Sequence, residues 1–167
     1  MIQKKICMIG ATAVGKTSLV ARYIHSRFSD KYQSSIGVKV DKKTLSVAGQ
    51  DLALLLWDIY GDDEFQKLRT SYLRGASGYL LVVDGTRLST WEKAQQLKGL
   101  MQEAVGAIPM VLVLNKCDLA ESWEMPSDLE TRLTAEGWSV VRGSAKTGEA
   151  SRVAKVCWSP VAVSRTT

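Results

Sequence analysis

The fold of this 167-residue chain is decided near its start, where residues 5–17 read KICMIGATAVGKT. The apolar run that ends at Gly10 predicts a buried strand, and residues 10–17 fit the pattern GxxxxGK[ST]. The next segment, KTSLVARYIHSRF (16–28), has apolar residues at helical spacing. A strand, a glycine-rich loop and a helix in this order predict a phosphate-binding loop.

The fixed positions of this loop each have a physical reason. Gly10 and Gly15 permit backbone turns that a side chain would obstruct, so successive N–H groups can point at phosphate oxygens. Lys16 would place a cation beside the phosphates, and the hydroxyl of Thr17 can ligate Mg²⁺. The positive end of the following helix dipole would add to this attraction.

The rest of the chain alternates strand-like and helix-like segments. Apolar runs predict strands at 4–10, 38–47, 51–58, 77–85, 108–116 and 138–143. Helical spacing and end signals predict further helices at 88–105, with Ser89 or Thr90 as N-cap, and at 126–137, beginning at Pro126-Ser127. This alternation predicts an α/β domain with a mostly parallel six-stranded sheet and helices on both faces. The short turn AGQD (48–51) makes one edge strand antiparallel.

Composition limits the class of protein. The length fits one domain, for which we predict residues 1–158, followed by a short tail at 159–167. Three cysteines without a CxxC pair favour reduced thiols in the cytoplasm, and we find no secretory leader or bilayer-length apolar run. The net charge of +5 is mild, so we expect no nucleic-acid partner.

Two further motifs follow predicted strands, where ligands bind in open α/β sheets. In the first, Asn115-Lys116-Cys117-Asp118, a carboxylate at Asp118 can accept two hydrogen bonds from guanine that adenine cannot supply. The second, Ser144-Ala145-Lys146, follows the last predicted strand. Neither motif would be specific by itself, because short matches are common.

Taken in order with YQSSIGVKVDKKT (32–44), WDIYGDDEF (57–65) and RTSYLRGASGYLLVVDGT (69–86), these motifs resemble a small GTPase of the Ras superfamily, closest to its Rab-like branch. The resemblance covers residues 1–150 and implies a P-loop GTPase domain that binds GTP or GDP with Mg²⁺. Loops at about 27–40 and 59–74 would act as switches that effector and regulatory proteins read. A P-loop ATPase or small-molecule kinase, with accidental NKCD and SAK motifs, is the alternative.

The resemblance also implies which residues form the site. The nucleotide would be bound by Gly10, Ala13, Val14, Gly15, Lys16, Thr17, Ser18, Phe28, Ser35, Gly61, Asn115, Lys116, Asp118, Leu119, Ser144, Ala145 and Lys146. Mg²⁺ would be bound by Thr17, Ser35 and, through a water, Asp58. Catalysis would involve Lys16 and Asp62. For Phe28, packing in the core at the end of the first helix is the alternative to packing on guanine.

The third motif departs from the family pattern WDTAGQERF. Ile59 and Tyr60 replace threonine and alanine, and Asp62 replaces the glutamine that orients the attacking water. Ionised aspartate is shorter, donates no hydrogen bond and repels the γ-phosphate, so we expect slow GTP hydrolysis. Two alternatives are that Asp62 acts as a general base and that the chain is a GTP-loaded pseudo-GTPase used as an interaction module.

The last residues depart from the family as well. VSRTT is not a prenylation box, and Cys157 lies ten residues from the end, so we expect no stable lipid anchor. An unanchored member of the family, of which a prokaryotic protein is one example, and a chain altered after residue 150 both fit this ending.

Overall fold

The structure, a computed structural model, describes residues 2–25, 38–47, 49–59 and 70–148. Its strands are β1 Ile2–Gly10, β2 Val38–Val47, β3 Gln50–Ile59, β4 Ala76–Asp84, β5 Met110–Asn115 and β6 Ser139–Arg142. Its α-helices are α1 Lys16–His25, α2 Leu88–Val105 and α3 Leu129–Ala135, and short 3₁₀ turns occupy Thr70–Tyr72 and Ala120–Ser122. None of the described helices is long and apolar enough to cross a membrane.

The strands form one six-stranded sheet in the order β2-β3-β1-β4-β5-β6. All neighbours are parallel except β2 and β3, which pair antiparallel from Val38 opposite Ile59 to Val47 opposite Gln50. The prediction of a mostly parallel sheet with one antiparallel edge strand is therefore confirmed. Because the other five strands are parallel to one another, their carboxyl ends meet at one edge of the sheet, and the loops that follow them lie close together.

Two apolar layers, one on each face of the sheet, make the core. Successive residues of β1 alternate between them: Ile6 and Met8 face the α1 side, whereas Cys7 and Ile9 face the side covered by α2 and α3. Such two-sided burial explains why β1, β4 and β5 read as continuous apolar runs. The predicted placement of helices on both faces is confirmed.

The ends of two helices differ from the sequence prediction. Helix α2 begins at Leu88, and the oxygen of Glu124, not Ser89 or Thr90, accepts a hydrogen bond from the Leu88 N–H, at 2.8 Å. The Thr90 hydroxyl instead donates to the Arg87 carbonyl oxygen at 2.7 Å. The N-cap prediction was wrong because a residue distant in sequence supplies the cap. Helix α3 begins at Leu129, one turn later than predicted, since residues 126–128 form a turn.

Candidate functional site

The glycine-rich loop joins β1 to α1 at the carboxyl edge of the sheet. Gly15 has a φ of +101°, and a Cβ added there would lie 2.3 Å from Nδ2 of Asn115. A Cβ added to Gly10 would lie 2.4 Å from the carbonyl oxygen of Val82 on β4. Both glycines are therefore required for close packing, and Gly15 also for its backbone conformation.

Five consecutive carbonyl oxygens of this loop accept hydrogen bonds from side chains. The acceptors and donors are Gly10 and Ala11 with Lys16 Nζ (3.2 and 3.1 Å), Thr12 with Arg87 Nη2 (2.9 Å), Ala13 with Lys116 Nζ (3.1 Å) and Val14 with Asn115 Nδ2 (2.8 Å). In a planar trans peptide the N–H of the next residue points away from the carbonyl. Fixing these carbonyls therefore also fixes the directions of the loop's N–H groups.

Lys16 is almost completely buried at the start of α1, with 7% of its surface exposed. Burial lowers the pKa of its ammonium group to about 8, although the carboxylate of Asp58 opposes this shift. Inside the loop the ammonium donates hydrogen bonds to the carbonyl oxygens of Gly10 and Ala11, and these dipoles compensate for lost hydration incompletely. A bound anion would stabilise the charged form of this lysine.

Thr17 and Asp58 place two oxygen ligands side by side. The Thr17 hydroxyl donates to Oδ2 of Asp58 at 2.5 Å, and Asp58 is buried near the end of β3. Burial raises the pKa of Asp58, and the bond from Thr17 and the charge of Lys16 oppose this shift. A buried carboxylate beside a hydroxyl is the kind of oxygen set that suits Mg²⁺. These residues therefore fit the metal that the sequence predicts.

The loops after β5 and β6 are joined to each other. Ser144 Oγ donates to Asp118 at 2.7 Å and accepts from the Thr147 N–H at 3.1 Å. The Cys117 N–H donates to the Gly143 carbonyl at 3.1 Å. These bonds hold the carboxylate of Asp118 at the exposed rim, next to the loop that contains Ala145.

Asn115 connects this region to the phosphate-binding loop. It ends β5, is 2% exposed, and uses its amide nitrogen on Val14. Its Oδ1 is buried and has no hydrogen-bond partner within the described ranges. A buried acceptor of this kind costs stability until a donor reaches it. A ligand with a hydrogen-bond donor would therefore be favoured at this position.

Comparison with known proteins decides the family. A sequence model of the Ras family matches residues 5–156, most of the chain. The chain belongs to the Ras family. It is similar to Rab-32C of Dictyostelium discoideum, with 37% identity over 133 residues that cover 78% of this chain and 59% of that protein. It is also similar to dog Rab-13 (32% identity, covering 79% and 66%) and human Rab-25 (35%, covering 79% and 62%).

These relatives identify a Rab-like small GTPase of the Ras superfamily, as the motifs predict. The chain spans about three fifths to two thirds of the length of the curated relatives that it matches.

The structure brings most described members of the predicted site of this Rab-like protein to one edge of the sheet. Residues 10–17 lie with Asp58, Asn115 and Lys116, and Asp118 lies with Ser144. Ser18 belongs to the first turn of α1 and is partly buried. Leu119 and Lys146 are exposed, the former by 44%. The predictions for Phe28, Ser35, Tyr60, Gly61 and Asp62 lie outside the described residues.

Sequence reasoning missed Asp84, which ends β4 at the same edge and is 1% exposed. Its carboxylate accepts from Lys116 Nζ (2.8 Å), Arg87 Nε (2.9 Å), and the N–H (2.9 Å) and hydroxyl (2.6 Å) of Thr86. Burial by itself would raise the pKa of Asp84, but these bonds together outweigh it and lower the pKa. The sequence did contain a signal for Asp84: it is a carboxylate at the end of a buried strand, which is the position that indicated Asp58.

Proposed function

We propose that this Rab-like protein is a molecular switch that binds GTP and GDP with Mg²⁺ and hydrolyses GTP slowly. The supporting observation is the phosphate-binding loop, in which residues 10–14 all have their carbonyl oxygens bound by side chains. Such a loop presents its N–H groups in fixed directions before any phosphate arrives, which favours anion binding.

The phosphates would be bound by the N–H groups of residues 13–18, by the ammonium group of Lys16 and by the positive end of α1. Thr17 and Asp58 would hold Mg²⁺, and the family resemblance adds Ser35. When bound, this ion neutralises the charge that develops on the phosphate oxygens. The donor oxygens of the chain would fix its position beside Lys16.

Guanine would be recognised by Asp118, assisted by Asn115, Lys116, Leu119 and the loop at 144–146. The bond from Ser144 at 2.7 Å orients the Asp118 carboxylate but leaves acceptor capacity for a base. Adenine would leave these acceptors unpaired, which is the basis for discrimination. From the family resemblance, Phe28 would pack against the base.

Slow hydrolysis follows from Asp62, where the family has glutamine. An ionised aspartate accepts from water but donates nothing to the transition state, and its charge opposes the γ-phosphate. Gly61 would contact the γ-phosphate, so loss of that phosphate would release the loop. Effector and regulatory proteins would read residues 27–40 and 59–74 in the GTP-bound form, and cysteine usage favours a cytoplasmic location.

A second candidate function is a GTP-loaded interaction module without significant hydrolysis, favoured by the same aspartate together with Tyr60. The two proposals share the nucleotide site and differ only in turnover. They would be separated by single-turnover hydrolysis of GTP by the wild-type chain and by Asp62→Gln.

The test of the proposed function begins with the nucleotide that copurifies with the protein, followed by Mg²⁺-dependent affinities for GDP, GTP and ADP. We expect bound GDP or GTP, affinity for both much tighter than micromolar, and faster hydrolysis in Asp62→Gln. Micromolar or weaker affinity for both guanine nucleotides would contradict the switch. Equal hydrolysis rates in wild type and Asp62→Gln would show that this position does not limit turnover.

A further inference from the structure

We propose that Asp84 and Arg87 are positioning residues for the nucleotide's phosphates, because they hold the outer part of the phosphate-binding loop in its binding conformation. This inference rests on the proposed function. Arg87 lies outside every motif that the sequence assigns to the site. Asp84 ends β4 and Arg87 follows that strand, so neither belongs to β1, to β5 or to the loops after them.

The geometry is that of one buried carboxylate holding two cations. Oδ2 of Asp84 accepts from Arg87 Nε at 2.9 Å and from Lys116 Nζ at 2.8 Å. Each cation then donates to a carbonyl of the loop: Arg87 Nη2 to Thr12 at 2.9 Å, and Lys116 Nζ to Ala13 at 3.1 Å. Two adjacent peptide groups of the loop are thus tied through two cations to the same carboxylate oxygen.

The carboxylate itself is fixed in orientation. Its other oxygen, Oδ1, accepts from the N–H and the hydroxyl of Thr86, at 2.9 and 2.6 Å. A rotation of the Asp84 side chain would therefore break bonds on both oxygens. Since Asp84 is 1% exposed, water cannot easily replace them.

The backbone of the phosphate-binding loop includes an unfavourable conformation that these hydrogen bonds can stabilise. Ala13 has a φ of +60°, a conformation that residues other than glycine seldom adopt. Lys116, which binds its carbonyl, has a φ of +66°. Backbone in such conformations persists when the surroundings hold it. With Arg87 and Lys116 in place, the N–H groups of Ala13 and Val14 are aligned before a phosphate binds, so less order must be created on binding.

Arg87 is the better position for a test, because its side chain is 42% exposed and makes no contribution to the apolar core. Arg87→Gln removes the charged guanidinium group. Arg87→Lys keeps a cation but has one nitrogen, which cannot occupy the positions of both Nε and Nη2. Arg132→Gln is the matched control, since Arg132 lies on α3, is 53% exposed and pairs at 3.6 Å with Asp128, the residue just before that helix.

The experiment measures release of fluorescent GDP, and the affinities for GDP and GMP, in the full chain with Mg²⁺. We expect Arg87→Gln to release GDP about tenfold faster, the effect of losing roughly one charge-assisted hydrogen bond. Affinity for GMP, which lacks the second phosphate, should change less than twofold. Arg87→Lys should give an intermediate rate, and Arg132→Gln the wild-type rate.

A second comparison tests the link between the two residues. Asp84→Asn should accelerate GDP release more than Arg87→Gln, because it loosens both cations. The double variant should be no faster than Asp84→Asn alone, since the two substitutions break one chain of bonds. Independent, multiplicative effects on the rate would contradict the proposed arrangement.

The outcomes separate this inference from the function on which it rests. If the wild-type chain fails to bind GDP, the proposed function is wrong. If the wild type binds GDP tightly and Arg87→Gln releases it at the wild-type rate, only the positioning role is wrong. Equal weakening of GDP and GMP by Arg87→Gln would indicate a merely structural effect and would also overturn the inference.

Discussion

Gly10 and Gly99 allow the same chemical change to be made in two surroundings, with opposite expected results. In Gly10→Ala the new methyl would lie 2.4 Å from the carbonyl oxygen of Val82 and 3.1 Å from Cγ2 of Val14. In Gly99→Ala, within α2, the methyl would meet nothing within 4 Å. The first should destabilise the protein, and the second should stabilise it.

The magnitude follows from these distances. Ordinary contact begins near 3.4 Å, so Gly10→Ala must move the methyl and the Val82 carbonyl apart by about 1 Å. Gly10 and Val82 are register partners in neighbouring central strands, so this shift must deform the sheet. Overpacking of this kind costs about 3 kcal/mol, which for a chain of this size lowers Tm by about 6–12 °C. Gly99→Ala should gain about 1 kcal/mol, or about 2–4 °C, because alanine favours an exposed helix interior.

The assay is thermal and urea unfolding of wild type and both variants with saturating GDP and Mg²⁺, with GDP release measured in parallel. Gly10→Ala should also release GDP faster, because the loop begins at this residue, whereas Gly99→Ala should release it at the wild-type rate. A Gly10→Ala protein with the wild-type Tm would refute the argument from close packing. A loss of stability in Gly99→Ala would refute the argument from open space.

Three further changes test the base site, a buried thiol and a helix end. Asp118→Asn should weaken GDP binding by at least about a hundredfold. It should improve binding of xanthosine diphosphate, because the second ring carbonyl of xanthine can accept a hydrogen bond from the new amide. An unchanged base preference in competition assays would contradict this prediction. Burial raises the pKa of the Cys7 thiol from 9.0 to about 11, more than the nearby charge of Lys5 lowers it. Between these values the unfolded thiol ionises while the folded one stays protonated, so the free energy of unfolding should fall as pH rises. In Cys7→Ala the free energy of unfolding, measured by urea titration from pH 9 to 11, should fall less steeply than in the wild type. The same pH dependence in both proteins would show that the buried thiol does not cause the fall. Glu124→Ala removes the acceptor at the start of α2 and should cost about 1 kcal/mol in urea unfolding, whereas Glu103→Ala on the exposed side of α2 should cost much less.

The sequence predicted the sheet, and which of its residues would meet at the carboxyl edge, because both depend on local patterns. Continuous apolar runs indicate strands buried on both faces, and parallel strands bring the residues at their carboxyl ends together. Asp58 and Asn115 could therefore be placed at one edge from their positions after apolar runs.

The rest depends on contacts between residues far apart in the chain. Arg87 binds a carbonyl 75 residues away, and Glu124 accepts from an N–H 36 residues away. No periodicity or spacing predicts such pairs, because each follows from how completed loops pack on one another. The N-cap of α2 was predicted wrongly for this reason: local hydroxyls were available, but the distant carboxylate took the position.

The phosphate-binding loop, although only a few residues long, completes its shape late in folding. The side chains that bind the carbonyls of Thr12, Ala13 and Val14 lie 75, 103 and 101 residues further along the chain. Contacts of such high sequence separation require closure of large loops and form only when β1, β4 and β5 have assembled. During synthesis, the aligned loop therefore cannot exist until the chain has been extended beyond Lys116. On the proposed function, the nucleotide would be bound tightly only after these strands have assembled, and binding would favour folded molecules over partly folded ones.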